Sequence, residues 1–360
     1  LYARIRARAE AGKHSILLVP EQFTSSTEGR IYRELGDALS GMVESYSFTS
    51  LAEHILAIEG GAAVQTLTDA GRAVLVRRAL EELQDNVHYY YRHRRSAAFC
   101  QMAAETIDEL KSAGLSGQQL QELARDCGTE SAKLGELALI FQGYESLLAG
   151  TGMDPADRLE LAADRLEAAL ARDELPDFLR EREVFIDEFD TFNAPKKRLM
   201  GVMLAALPAV TVALCEDGAP MQPGDLELFS GAKQVAAQLR QLARKNGAQV
   251  AAPELLRRDL RHKDAPGLAA LTELLETGSC TPPESAPELR LFAAASREEE
   301  ARCAAAAIRR LMRQGVRCGK IAVVCRDISL YRAAVRYEFR MAEIPLYCDE
   351  PTTPEFSAPA

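Results

Sequence analysis

The sequence has no apolar run that approaches the roughly 20 residues needed to cross a bilayer. It also does not open with the basic segment and apolar stretch of a signal peptide. These two absences argue against a membrane span and against secretion. Hydrophobic residues make up 47% and charged residues 27% of the 360 residues, as in ordinary folded domains. We therefore expect a water-soluble protein of two or three domains that works in the cytoplasm.

Metal-binding and nucleophile motifs are missing too. The eight cysteines form no C-x-x-C pair, and the five histidines lie in no H-E-x-x-H or catalytic-triad context. Their absence argues against a structural metal and against hydrolysis by Ser, Cys or zinc. We interpret the cysteines as reduced and mostly buried thiols. They are Cys100, Cys127, Cys215, Cys280, Cys303, Cys318, Cys325 and Cys348.

A phosphate-binding loop of the form G-x-x-x-x-G-K-[ST] is the third absence. Without such a loop we expect the chain not to hydrolyse ATP on its own. The chain begins in a helical pattern and ends without a cap, so both ends look cut. A phosphate-binding loop would then lie just upstream of Leu1. The formal charge of −10 argues against a protein that coats nucleic acid indiscriminately, although a local basic groove can survive in an acidic whole.

Strand and helix patterns alternate along much of the chain. The strands are predicted at 15–20, 42–47, 183–187 and 210–215, with helices at 25–36, 48–58 and 194–207. Between 69 and about 170 only helical patterns occur. A helix near 230–246 precedes further strands predicted at 288–294, 320–325 and 345–348 and helices at 297–314 and 328–341. The predicted class is α/β, with a parallel sheet interrupted by an all-helical insert and then a second α/β unit.

The sharpest chemical motif is the acidic pair Asp187 and Glu188, which follows the apolar residues 184–186. In nucleotide-hydrolysing α/β proteins, one carboxylate at the carboxyl end of a strand enters the Mg²⁺ shell and a second polarises the attacking water. The alternative is that the pair only ends a strand before a loop. The motif alone does not decide between them.

Several motifs, in order, resemble the N-terminal part of the AddB family of bacterial helicase-nuclease subunits. They are Ile-Leu-Leu-Val-Pro-Glu-Gln-Phe-Thr at 16–24, Ser-Tyr-Ser-Phe-Thr-Ser-Leu-Ala at 45–52, Phe-Ile-Asp-Glu-Phe-Asp-Thr-Phe at 185–192 and Val-Thr-Val-Ala-Leu at 210–214. Farther on, Gly-Lys-Ile-Ala-Val-Val-Cys-Arg-Asp at 319–327 resembles the motif-IV region of UvrD-type helicases. The resemblance spans essentially the whole chain.

The resemblance implies a P-loop NTPase (RecA-like) architecture of helicase superfamily 1. Its boundaries are a first RecA-like domain at 1–62 and 173–222, a helical insert at 63–172 and the start of a second RecA-like domain at 223–360. It also implies a single-stranded DNA partner, a heterodimer with an AddA-like subunit, and ATP and Mg²⁺ in the whole protein, with Mg²⁺ bound through Asp187. An iron-sulfur cluster is expected only in a C-terminal nuclease domain outside this chain.

The resemblance also assigns candidate DNA-binding residues. Gln22 and Thr24 match the motif-Ia position where a strand end meets the DNA backbone, although Thr24 could equally cap the following helix. Phe48, Thr49 and Ser50 match a strand-to-helix turn in which Phe48 could stack on a base.

Ser50 replaces the arginine of that family pattern and Glu53 replaces an aromatic residue, which puts reading of the hotspot sequence Chi in doubt. Glu188 stands where family members often have glycine. Arg326 matches the motif-IV arginine that reaches nucleotide phosphates in active motors, or it is a salt-bridged surface arginine.

The stretch His-Tyr-Tyr-Tyr-Arg-His-Arg-Arg at 88–95 interleaves aromatic and cationic residues. Such a stretch suits a surface that follows a nucleic-acid strand, but it is also typical of a solvated loop.

Two functions follow from these patterns. The first is a helicase-like module that binds and scans single-stranded DNA within an ATP-dependent helicase/exodeoxyribonuclease that resects double-strand breaks. The second is an active ATP-driven superfamily 1 translocase that needs the upstream loop. A purely structural scaffold is the third alternative, favoured if the groove is acidic.

Overall fold

The computed structural model describes residues 1–61, 63, 65–93, 95–218, 228–256 and 260–348, with only the backbone of Tyr91. The chain forms two compact units, Leu1–Arg257 and Arg258–Ala360. Within the described residues, no helix combines the length and apolar character that a membrane crossing requires.

The first unit contains a parallel sheet of four strands. They are β1 (Ser15–Leu18), β2 (Val43–Tyr46), β3 (Glu183–Ile186) and β4 (Ala209–Val212), in the spatial order β2-β1-β3-β4. Ser15 pairs with Val43 on one side and with Glu183 on the other. Every residue of β1 and β3 is buried, which explains the continuous apolar runs 16–18 and 184–186 that follow Ser15 and Glu183. The four strands predicted in this unit are confirmed.

Fourteen α-helices occur in the described residues. They are α1 (Tyr2–Glu10), α2 (Thr24–Leu35), α3 (Asp37–Ser40), α4 (Phe48–Glu59), α5 (Asp69–Glu82), α6 (Ala97–Ser112), α7 (Gly117–Ala124), α8 (Ser131–Leu148), α9 (Pro155–Ala171), α10 (Ala194–Ala206), α11 (Ser230–Lys245), α12 (Pro266–Thr277), α13 (Arg297–Arg313) and α14 (Ile328–Met341). Short 3₁₀ turns occur at Glu21–Phe23, Tyr91–His93, Gly128–Glu130 and Cys318–Lys320.

Alternate residues of the central strands face two separate cores. Leu17 and Phe185 point to one face of the sheet, where they pack with apolar residues of α1 and α2. Ile16, Val184 and Ile186 point to the other face, where α4, α9 and α10 cover them. The sheet is therefore covered by helices on both faces, as expected for parallel strands.

A third core lies among α5, α6, α7 and α8, where Val76, Ile107 and Phe141 are buried together. The last predicted helix of the insert, α9, instead contributes Ala163 and Leu166 to the core beneath the sheet. The part of the insert that has a core of its own therefore ends before α9.

The ends of this helical part meet. Thr66 and Met153 form an isolated parallel β-bridge, in which the Leu67 N–H donates to the Met153 carbonyl at 3.0 Å.

A buried polar cluster lies next to this bridge. The Tyr144 hydroxyl donates to Asp154 at 2.7 Å, and the Lys111 ammonium donates to Asp154 and Asp157 at 2.8 Å. Asp154 is 1% exposed, so these bonds replace its lost hydration.

The second unit has a small core between α13 and α14, around Ile308, Val335 and Phe339. The strands predicted at 288–294, 320–325 and 345–348 are wrong, since no described residue in these ranges forms a strand. Leu291 and Val324 are almost completely exposed, at 101% and 91%. Apolar composition favours a strand only where a neighbour can pair with it, and these segments have no paired neighbour among the described residues.

The cysteines also differ from the prediction. All eight are free thiols, as predicted, but Cys100 alone is buried, and Cys127 and Cys215 are exposed. The expectation that most are buried is wrong because five of them lie in the second unit, whose core is small.

Candidate nucleic-acid interface

The carboxyl ends of the four parallel strands form one edge of the sheet, hereafter the carboxyl edge. The 3₁₀ turn Glu21–Phe23 follows β1, the N-terminus of α4 follows β2, and Asp187 and Glu188 follow β3. In open α/β sheets, ligands bind at this edge. Most of the candidate residues predicted from the sequence therefore lie there.

A direct hydrogen bond joins the loops after β1 and β2. The Thr49 hydroxyl donates to the Glu21 carboxylate at 2.6 Å. Burial alone would raise the pKa of Glu21, but the bonds from Thr49 and from its own backbone N–H, together with the Lys196 charge, lower it. Glu21 therefore stays ionised at the N-terminus of α4, where the helix dipole favours negative charge.

Ser50 is used to cap α4. Its backbone N–H donates to the Ser47 hydroxyl at 3.0 Å, and its own hydroxyl accepts the Ser47 N–H at 2.8 Å. This reciprocal pair is a capping box. The Ser50 side chain therefore serves the end of the helix itself.

The two candidates after β1 differ in availability. Gln22 is exposed, whereas Thr24 is partly buried and its hydroxyl donates to the Glu21 carbonyl at 2.9 Å. The alternative role of Thr24 as a helix cap is wrong, because α2 already begins at Thr24 and its N-cap is Phe23, which makes no side-chain cap bond. The Thr24 oxygen can still accept a hydrogen bond from a ligand.

Phe48 is buried in the core, at 1% exposure. Its ring packs edge-on against Phe189 and Phe192, with centroids 5.3 and 6.1 Å away, and the Lys196 ammonium lies 5.8 Å from the ring centroid. The expectation that Phe48 stacks on a base therefore conflicts with the structure, since a base would have to displace its packed neighbours. The apolar α4 face is the reason, because it turns Phe48 towards the sheet.

The acidic pair after β3 has a strained backbone. The Asp187 N–H donates to the Leu18 carbonyl at 3.0 Å, which continues the sheet by one residue. Glu188 then adopts a φ of 64°, in the left-handed region that glycine favours. Glycine would adopt this conformation with less strain than glutamate. The Glu188 N–H donates to the Asp187 carboxylate at 3.1 Å.

Cationic and aromatic side chains surround this pair. The Arg30 guanidinium lies 3.4 Å from the Glu188 carboxylate and 4.5 Å from the centroid of the Tyr2 ring. Burial raises the pKa of Tyr2, and the nearby Asp187 and Glu188 charges raise it further, against the opposing effect of Arg30. The N-terminal end of α1 therefore lies beside the acidic pair.

The acidic pair fits only part of a Mg²⁺-nucleotide site. The part of the chain that the structure describes has no group of three or more His, Cys, Asp or Glu side chains placed to hold a metal. Mg²⁺ bound to nucleotide usually takes one or two carboxylates, so Asp187 could supply one ligand. Glu188 is directed to Arg30 instead.

Charges of both signs lie along the carboxyl edge. The carboxylates of Glu21, Asp187, Glu188 and Asp190 are accompanied by the cations Arg30 and Lys196. The edge is not a basic groove. An incoming phosphate would have to compete with protein carboxylates for these cations.

Arg326 lies in the second unit, where it is exposed. The segment that precedes it forms no strand, so the predicted strand end that would hold this arginine is not formed.

The sequence that forms these elements matches a known family. The family model described as "ADDB, N-terminal" matches residues 1–272. The chain belongs to the ADDB N-terminal family. This confirms the resemblance stated from the sequence motifs.

Two similar proteins carry the same name. The B subunit of an ATP-dependent helicase/deoxyribonuclease from Desulforudis audaxviator is 33% identical over 356 residues, which are 95% of this chain and 30% of the relative. The protein of the same name from Moorella thermoacetica is 32% identical over 357 residues, 96% of this chain and 30% of the relative. The chain thus spans about 30% of the length of these relatives.

The sequence motifs did not single out three side chains at the carboxyl edge, namely Glu21, Arg30 and Lys196. Glu21 lies within the motif that singled out Gln22 and Thr24, so its position was a usable signal. Arg30 and Lys196 lie in the middle of α2 and in the first turn of α10, and only the tertiary fold brings them to the edge.

Proposed function

We propose that this chain is the helicase-like part that binds and scans single-stranded DNA in an ATP-dependent helicase/exodeoxyribonuclease. The whole protein would resect double-strand breaks for recombinational repair in the cytoplasm, as a heterodimer with an AddA-like subunit. One observation carries the proposal: the Thr49–Glu21 hydrogen bond joins the two polar loops after β1 and β2 at the carboxyl edge of an ADDB-family sheet.

The side chains at this edge suit a DNA backbone more than a base. Gln22 and Thr49 are exposed and can donate to phosphate or sugar oxygens. Lys196 supplies a positive charge next to them. Glu21 holds the position that a phosphate would take at the N-terminus of α4, so binding must displace it. Phe48 has no part in this proposal.

The test is fluorescence anisotropy of a labelled single-stranded oligonucleotide titrated with the 360-residue chain at several salt concentrations. Lys196→Ala should weaken binding and lower the slope of log affinity against log salt by about 0.7, the value for one phosphate contact in single strands. Glu21→Gln should tighten binding, because it removes the competing carboxylate but keeps the side-chain shape. Thr49→Ala should weaken it.

Lys13→Ala is the matched control. Lys13 is exposed and precedes β1, so it lies at the opposite edge of the sheet, and its removal changes the net charge equally. If Lys13→Ala and Lys196→Ala lower the affinity to the same extent, attraction is general and the edge is not the binding site. No binding of the wild-type chain at low salt would favour the scaffold function.

An ATP-driven translocase is the second candidate. The observation in its favour is that Asp187 follows a completely buried strand and lies beside the N-terminal end of α1. Bound Mg²⁺ would supply charge neutralisation at the nucleotide phosphates. A fluorescent Mg²⁺-ATP analogue, titrated with the chain and with Asp187→Asn, tests this candidate. Binding that depends on Asp187 would favour the motor, whereas equal binding by the wild-type chain and Asp187→Asn would count against a role of Asp187 in holding Mg²⁺.

A further inference from the structure

A surface on the helical insert combines exposed aromatic rings with cations. We call it the tyrosine surface and define it by Tyr89, Arg92, His93, Arg95 and Lys133, all of which are exposed. It lies between α5 and α6 and alongside the first turn of α8. Arg94 falls outside the described residues. The carboxyl edge of the sheet contains none of these side chains.

The backbone of this surface is fixed by one carboxylate. Glu136 accepts hydrogen bonds from the backbone N–H groups of three successive residues, His88 at 2.8 Å, Tyr89 at 2.8 Å and Tyr90 at 3.1 Å. Charge-assisted bonds of this kind are among the stronger ones in proteins. Val87, immediately before them, is buried in the core of the helical insert. The segment is therefore held in place at its base, unlike a freely solvated loop.

The rings form a short stack that ends at solvent. Tyr90 stacks on Phe99 with centroids 5.3 Å apart, and Tyr89 packs edge-on against Tyr90 at 5.0 Å. Tyr89 is 58% exposed, so much of its ring remains open. A preorganised aromatic ring loses little entropy when a flat ligand stacks on it.

Cations flank this open ring. The Lys133 ammonium lies 6.0 Å from the Tyr89 ring centroid, and its pKa is raised chiefly by Glu130 and then by Tyr89. Arg92 and Arg95 belong to the same segment. Glu130, 3.5 Å from Lys133, and Glu136 at the base of the segment offset two of these three charges. The surface is locally positive on a chain whose formal charge is −10.

We infer that the tyrosine surface is a second contact site for single-stranded DNA, in which a base stacks on Tyr89 and phosphates bind Lys133, Arg92 and Arg95. The choice of ligand rests on the proposed function. The charge supports it, because a stacking face with Lys133 beside it and two exposed arginines in the same segment complements a base between phosphates. An exposed Tyr89 ring alone would be enough to contact a protein partner. The three cations beside it are needed only if the ligand carries phosphates.

The chain has no tryptophan, which makes a specific reporter possible. In Tyr89→Trp the only indole lies on the tyrosine surface. Titration with an unlabelled single-stranded oligonucleotide should quench its emission to a plateau, since stacking on a base quenches indole. Tyr32→Trp is the matched control, because Tyr32 is 53% exposed but lines a cavity with Glu28 and Glu44. It should show no saturable quenching.

Affinity gives a second, independent readout. Tyr89→Ala should weaken oligonucleotide binding by between about fivefold and about 100-fold, the range for loss of one base stack. Lys133→Glu should weaken oligonucleotide binding and lower the slope of log affinity against log salt. Lys13→Glu should reduce both the affinity and this slope less. Equal effects of the two reversals, or unchanged affinity in Tyr89→Ala, would overturn the inference.

The two proposals fail in different ways. If Lys196→Ala weakens binding but the indole emission of Tyr89→Trp stays unchanged on saturation, the carboxyl edge binds DNA and the tyrosine surface does not. If that emission is quenched to a plateau and the Lys196→Ala and Thr49→Ala variants bind as wild type, the tyrosine surface binds and the proposed site at the edge is wrong. Quenching of Tyr89→Trp and Tyr32→Trp to the same extent would mean collisional contact only and would overturn the inference.

Discussion

Short apolar segments form strands in the first unit of this chain but not in the described part of the second. In the first unit, short apolar runs between helices pair into a parallel sheet, and β1 and β3 are completely buried. In the second unit, runs of similar composition at 288–294 and 320–325 form no strand, and Leu291 and Val324 are exposed. Apolar composition therefore marks a segment that can become a strand. The pairing partner decides whether it does.

That partner can be far away in the chain. β1 pairs with β3 although the whole helical insert separates them in sequence. This pairing is stabilised because Leu17 and Phe185 are buried in one core with α1 and α2. In the second unit, Ile308 and Phe339 bury each other between two adjacent helices and need no sheet. Local contacts are therefore sufficient for the small core but not for its extended segments.

The largest effect should come from Phe185→Ala. Phe185 is completely buried beneath α1 and α2, so its loss should lower the free energy of unfolding of the first unit by about 3–5 kcal/mol. Urea unfolding followed by circular dichroism measures it. A cost below about 1 kcal/mol would mean that this core is loosely packed and that the contrast between the units is weaker than described.

Asp154→Ala should lower the free energy of unfolding of the first unit slightly less, by about 3 kcal/mol. It removes the carboxylate that Lys111 and the Tyr144 hydroxyl share in a buried cluster. Glu338→Ala in the second unit is the control. Glu338 is also buried but pairs with Arg302, whose side chain is 66% exposed and regains water, so a smaller loss is expected. Equal losses in urea unfolding would contradict this distinction.

The same cluster predicts how stability depends on pH. The pKa of Lys111 is raised, since the bonds to Asp154 and Asp157 outweigh burial, and burial with the Asp154 bond raises the pKa of Tyr144. Groups with raised folded pKa values add stability below their unfolded pKa and lose it as pH rises. Stability should therefore begin to fall as pH rises above 10.0, the ordinary tyrosine value, and fall further above 10.5, the ordinary lysine value. In Lys111→Met with Asp154→Asn, thermal unfolding should show a smaller fall.

A smaller and opposite effect is expected from Glu188→Gly. Relief of the left-handed conformation at φ 64° should stabilise the first unit by about 1 kcal/mol. Glu188→Ala is the control, because it removes the same Arg30 ion pair but keeps the strain. Glu343→Gly, at φ 53°, should give a similar gain in the second unit. Thermal unfolding that shows no difference between the Gly and Ala variants would exclude strain at this position.

The smallest effect should be that of Val324→Ala. Its side chain is 91% exposed, so the change should stay within about 0.5 kcal/mol in urea unfolding. A cost of about 2 kcal/mol, which is typical of a buried apolar side chain, would show that Val324 is covered in solution. The contrast with Phe185 would then disappear.

These contrasts explain what the sequence could predict. The strands of the first unit and the position of Asp187 were predictable because buried parallel strands carry a local apolar signal that ends at a polar residue. The burial of Phe48 was not, because its partners Phe189 and Phe192 come from a distant loop. The helix α12 was missed although the sequence carries its signals: Pro266 at its start, Gly278 at its end, and Leu268, Leu271 and Leu275 at helical spacing between them. The role of Glu21 could not be predicted either, because it depends on the N-terminus of α4 lying beside Glu21 in the folded chain.

The bridge between Thr66 and Met153 makes the helical part of the first unit a cassette with adjoining ends. Because the first and last residues of the cassette are hydrogen-bonded to each other, the two flanking chain segments stay close together whichever residues lie between them. Exchange of the intervening residues for a longer, shorter or differently charged bundle would therefore cost the sheet little closure entropy. The tyrosine surface is carried on this exchangeable element, so its properties can diverge between proteins while the sheet and its carboxyl edge keep their form.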